Sequence, residues 1–167
     1  LLDHARRDYP DPVKGSIFQC LVDRGAGEPL LSDLIAILRD TYGQLSPNSL
    51  YTLGYAIAEA AKPKDLDTVI EVANAKKFGV AREPVIMKIA SNKNVRAKHA
   101  VQRFFREDVA PVAAIDALRI ARLWDMHDSV LAYKETPDYS DKAKPRLRES
   151  IAKYERAMRK ASGKPRA

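Results

Sequence analysis

In NVRAKHAVQRFFRE, residues 94–107, Arg96, His99, Arg103 and Arg106 recur at intervals of three, four and three. A helix would align them on one face, with the apolar residues of the same stretch on the other. Lys93 and Lys98 flank the row, and Arg82 and Lys88 precede it on the neighbouring predicted helix. The chemistry such a row offers is anion recognition: it can neutralise the carboxylates of an acidic protein segment or the phosphates of a nucleic acid, each phosphate contact adding nearly one unit to the salt dependence of binding. A solvated helix face is the alternative. Tyr51 and Tyr55, one turn apart and near Tyr42, form a second candidate contact zone, since tyrosine and arginine dominate binding hot spots; the competing reading packs them against the next hairpin.

Other residue types offer less. WDMHD, residues 124–128, gathers Asp125, His127 and Asp128, but adjacent residues at a helix or its end point in different directions, which favours capping and turn roles over a metal or acid–base site. Trp124 reads as packing between the last repeat and a terminal helix, and His4 has no evident partner. Cys20 falls on an apolar stripe and reads as a small core hydrophobe. Gly25-Ala26-Gly27 has no Lys-Ser/Thr after it, so it reads as a helix terminator rather than a phosphate loop. No catalytic site, cofactor, metal or small-molecule substrate is expected from these patterns.

Charge is distributed unevenly. Residues 1–75 carry seven Lys/Arg against eleven Asp/Glu (−4), 76–106 nine against one (+8), 107–141 three against eight (−5), and 142–167 ten against two (+8). Two basic zones therefore interrupt an otherwise acidic protein of net charge +7. The second carries a stripe of Leu147, Ile151, Tyr154 and Met158, predicting a basic amphipathic helix that docks as a cap, followed by a loose end. It has too few bulky and aromatic residues for membrane binding, and no apolar run approaches the ~20 residues that span a bilayer. A single cysteine excludes an intramolecular disulfide, so a reducing, cytoplasmic setting is expected. The chain begins Leu1-Leu2 rather than with Met, which leaves room for upstream residues.

The elements that must position these residues are helices. A chain of 167 residues that is 46% hydrophobic and only 7% aromatic suits one all-α domain. Apolar residues fall at helical spacing between glycine and proline cuts. The predicted helices are about 13–24 (Ile17, Cys20, Leu21, Arg24 on one face), 28–42, 47–61 opened by Ser46-Pro47, 65–77, 81–92, 95–106, 111–125 (Ile115, Leu118, Ala121, Arg122) and 127–134. Their starts alternate, so the unit is a helical hairpin repeating every ~30–35 residues, which means a solenoid. Residues 1–136 form the repeat array; 137–167 supply a linker at Thr136-Pro137-Asp138-Tyr139, the cap helix and the end, within the same domain.

The segments FGVAREPVIMKIASNKN, NVRAKHAVQRF and EDVAPVAAIDALRIA resemble HEAT-like repeats, in which second helices follow Asp/Asn-x-x-Val-Arg and hairpins carry Ala-x-x-Ala-Leu. Asn92 stands where an acidic residue is usual, and the first repeat lacks the pattern. The resemblance implies a right-handed α-α superhelix of about four hairpins whose inner surface binds proteins or nucleic acids. The implied function is a non-enzymatic scaffold that engages an acidic partner, with a protein preferred and nucleic acid the alternative. Some DNA glycosylases also resemble HEAT-like solenoids and use Trp and Asp at the lesion; Trp124-Asp125 invites that comparison, though no motif of theirs matches residue by residue.

Overall fold

The computed structural model describes residues 1–23, 30–107, 110–133 and 144–163. The Gly25–Gly27 cluster, residues 108–109, the linker at 136–139 and the last four residues of the tail lie outside them. Among the described residues there are ten α-helices and no strand: α1 (Leu2–Arg6), α2 (Asp11–Asp23), α3 (Leu30–Thr41), α4 (Pro47–Ala60), α5 (Leu66–Asn74), α6 (Arg82–Ser91), α7 (Val95–Arg106), α8 (Pro111–Ile120), α9 (His127–Ala132) and α10 (Lys144–Ala161). Short 3-10 turns at Pro63–Asp65, Lys76–Ala81 and Trp124–Met126 join some of them. The chain groups into two compact units, Leu1–Lys88 and Ile89–Ala167, with the division inside α6.

In the first unit α4 is the central element, packed against α2, α3 and the 3-10 segment before α6. Its start follows from Ser46-Pro47: the Ser46 hydroxyl accepts from the Ser49 N–H at 3.3 Å, and Pro47 occupies the first helical position. Leu53, Ala56, Ile57 and Ala60 are buried along it. Gly54 faces the backbone of Ala81 so closely that a Cβ there would lie 2.0 Å from the Ala81 carbonyl oxygen.

The sequence-predicted face of α2 is corrected. The helix begins at Asp11, and its buried residues are Lys14, Phe18 and Leu21. Cys20 is exposed, against expectation. The reason is tertiary. The Asp11 carboxylate accepts the Ser46 N–H at 2.9 Å and the Ser49 hydroxyl donates to the Asp11 carbonyl at 3.2 Å, which locks the first turns of α2 and α4 together. That register turns Phe18 inward and Cys20 out.

α5 stops at Asn74, three residues short of the predicted end, and the chain continues as a 3-10 segment kinked at Gly79, whose φ of 51° suits glycine. α6 buries Val85, Ile86, Ile89 and Ala90, as its pattern predicts.

In the second unit α8 packs against both α7 and α10. α8 ends at Ile120 rather than near Asp125. Arg122 adopts φ 56°, the Leu123 N–H donates to the Leu118 carbonyl at 3.0 Å, and the Arg122 N–H donates to the Arg119 carbonyl at 3.2 Å. This is a Schellman stop with arginine in the place glycine usually takes, and Leu118 and Leu123, the positions whose apolar side chains accompany such a stop, are both buried. α10 buries Leu147, Ile151 and Tyr154, while Met158 is half-buried. The Ser150 hydroxyl donates to Asp116 Oδ2 at 3.0 Å, and the Tyr154 hydroxyl donates to the Leu123 carbonyl at 2.6 Å, pinning α10 to the middle of α8 and to the turn that follows it.

Candidate binding face on α7

α7 occupies the predicted span to the residue because its signals are local. The Asn94 side chain accepts from the Arg96 N–H at 2.8 Å, and the Asn92 side chain accepts from the Asn94 N–H at 3.0 Å. Ala97, Ala100, Val101, Phe104 and Phe105 are all buried. Arg96, His99, Arg103 and Arg106 are all exposed. Arg103 lies 4.0 Å from the Glu107 carboxylate and 5.7 Å from the Phe104 ring, and Arg106 Nη2 lies 4.0 Å from Met126 Sδ. The row is thus a cationic outer face held on an apolar inner one, anchored at its C-terminal end to the 3-10 turn.

The remaining candidates distribute differently. Lys98 projects about 140° around the helix from Arg103, at roughly 100° per residue. It therefore leaves the row and, with Lys93, lines a cleft closed on the far side by the end of α8. Arg122, which the sequence pattern placed on the buried stripe of a longer helix, is exposed and lines the same cleft.

Arg82 is corrected: it is only 6% exposed, inside the first unit, where its Nε donates to the Ala73 carbonyl at 2.8 Å. Burial pulls its guanidinium below the ordinary value, with Glu83 opposing. It caps the end of α5 and is not part of a surface row. Lys88 is half-buried on α6.

Tyr51 and Tyr55 are 36% and 40% exposed on α4, one turn apart in the first unit. Tyr42 instead packs edge-on against Phe78, ring centroids 5.6 Å apart. His4, without an evident partner in the sequence, has its Nδ1 2.9 Å from the Tyr9 hydroxyl and stacks on that ring.

The WDMHD residues separate. Asp125 accepts from Gln102 at 3.0 Å, His127 sits 3.4 Å from Asp128, and Trp124 packs edge-on against Tyr154 at 5.2 Å. Burial first, and the Asp125 charge second, push the Tyr154 hydroxyl up to about 12. No group of three His, Cys, Asp or Glu among the described residues is placed to hold a metal ion. No helix among them is long and apolar enough to cross a membrane. Comparison with protein-family models, curated proteins and solved structures finds no match to this chain.

Proposed function

We propose that the chain is a non-enzymatic binding module of HEAT-like build, a right-handed stack of about four hairpins closed by α10, that engages an acidic protein partner through the exposed basic face of α7. The observation that carries the reading is the exposed row of Arg96, His99, Arg103 and Arg106 opposite five buried apolar residues. A row about 15 Å long, from the ~1.5 Å rise per residue, suits an extended acidic segment whose alternate side chains recur every ~7 Å. The repeat architecture is supported by the packing of α2 on α4 and of α8 on α10, each pair two elements apart as in stacked hairpins. A cytoplasmic home fits a chain whose one cysteine is a free thiol.

The test is fluorescence anisotropy with a labelled Asp/Glu-rich peptide and, in parallel, a labelled DNA duplex, at ~50 and ~200 mM salt. The peptide is expected to bind, and Arg96→Glu with Arg103→Glu to weaken it by about tenfold or more, roughly 1.4 kcal/mol. Arg96→Glu places an acid in the first turn of α7, where the helix dipole favours it, while Arg103→Glu sets an acid four residues before Glu107 in the last turn, where it is disfavoured by a similar ~0.3–1 kcal/mol; the two offset and helicity is retained. Tighter binding of the duplex, with a steeper salt slope, replaces the protein partner with nucleic acid. Binding of neither probe refutes the reading of this face.

A further inference from the structure

The cleft beside α7 has a composition that the outer-face row does not account for. It opens to about 540 Å3 within the second unit and is lined by Ser91, Asn92, Lys93, Lys98, Ile120 and Arg122, with two alanines. Three of these residues are cations and none is a carboxylate. Among the described residues, the side chains of Lys93, Lys98 and Arg122 make no hydrogen bond or ion pair. All three are exposed, so their mutual repulsion is weakened by water, and a bound anion would remove what remains.

Helix ends explain part of this pattern only. Lys93 follows α6 and Arg122 follows α8, and cations are favoured at those ends. Lys98 sits near the start of α7, whose first turn holds no acid, where a cation is disfavoured. Arg122 has a further cost. It occupies a left-handed position, φ 56°, which for a residue with a Cβ costs ~1–2 kcal/mol, while glycine would cap the helix without it. What glycine would not supply is the guanidinium at the cleft.

We propose that this cleft binds a small organic phosphate. A phosphate carries its charge in one compact group, which three cations lining one cleft suit better than the spread carboxylates of a peptide. The arginine fork can take two of its oxygens while the lysines act as point charges. Ile120 and the alanines provide apolar contact for the organic part, and the volume lies within the ~300–1,000 Å3 typical of small-ligand pockets. The site is separate from the outer face of α7 and does not depend on the reading of that face.

The experiment is isothermal titration with adenosine 5′-monophosphate and with pyrophosphate, using adenosine and sodium chloride as controls. Both phosphates are expected to bind saturably with one site per chain, adenosine and chloride not. Lys98→Gln and Arg122→Gly should each weaken binding about tenfold, as expected for a lost charged hydrogen bond. Arg122→Gly should also raise the melting temperature, so lost binding there cannot be a folding defect. Arg96→Glu with Arg103→Glu should leave phosphate binding intact, which separates this site from the α7 face. No saturable heat at millimolar phosphate, equal response to chloride, or undiminished binding in both cleft variants would overturn the proposal.

Discussion

Replacing Gly54 by alanine is the sharpest mechanical test of the first unit. The added Cβ would lie 2.0 Å from the Ala81 carbonyl oxygen, 2.7 Å from its carbonyl carbon and 2.8 Å from its Cα. Ordinary carbon–oxygen contact begins near 3.4 Å, so α4 and the 3-10 segment must part by roughly 1.5 Å. Backbone cannot rotate out of the way as a side chain can. Separation would also loosen Phe78 and Leu53, which are 3% and 0% exposed. Overpacking costs about 1–3 kcal/mol and sometimes more; alanine's helix propensity returns about 1 kcal/mol. A clash with backbone belongs at the high end, so the net loss is about 2 kcal/mol or more. For a unit of this size that lowers the melting temperature by ~8–16 °C. Urea unfolding followed by far-ultraviolet circular dichroism measures it. Gly15→Ala serves as comparison, since its Cβ would meet the Ser49 hydroxyl at 2.9 Å, a side-chain group that can turn at the expense of its bond to the Asp11 carbonyl. If Gly54→Ala proves as stable as the parent, or more so, the close approach of α4 to Ala81 is wrong.

Two predictions concern pH. Hydrogen bonds from Ser46, side chain first and then backbone, hold the Asp11 carboxyl below its ordinary value. Its contribution is therefore present above the unfolded-state value of ~3.9 and is lost as pH falls through the lower folded-state value; Asp11→Asn should flatten the acid side of the urea-midpoint profile. The Tyr154 hydroxyl is pushed the other way, to about 12. Its stabilisation is complete below pH ~10 and is lost as pH rises from there towards the folded-state value, so phenolate absorbance should show one late-titrating tyrosine that Tyr154→Phe removes. That variant also strips the Leu123 carbonyl of its 2.6 Å donor, a loss of about 1 kcal/mol or more.

What could be read from the sequence was local. Asn94 and Ser46-Pro47 announce α7 and α4 because a cap and its helix lie within a few residues of each other, and the 3.6-residue pattern of α7 and α6 placed every predicted inward residue correctly. What escaped was set by distant partners. The phase of α2 depends on Asp11 meeting Ser46, 35 residues on, so Cys20 emerged outside. Arg82 reads as a surface charge until the Ala73 carbonyl is placed beside its Nε. Arg122 terminates α8 without glycine or proline, and no propensity signals a stop there, so neither the helix end nor the cleft was visible. Lys98 belonged to a basic stretch, but which wall it faces is decided by α8.

The division of labour within α7 has a consequence for how the protein can change over time. Ala97, Ala100, Val101, Phe104 and Phe105 hold the helix in place, while Arg96, His99 and Arg103 face outward. Substitutions on an outward helical face away from special contacts usually shift stability by less than about 0.5 kcal/mol. Under the binding role proposed for this face, recognition can therefore drift or be lost at a position such as His99 while selection on folding sees almost nothing. Gln102, Arg103 and Arg106, which meet Asp125, Glu107 and Met126, couple the two pressures. Descendants of one such chain would keep a common inner alphabet and diverge in partner.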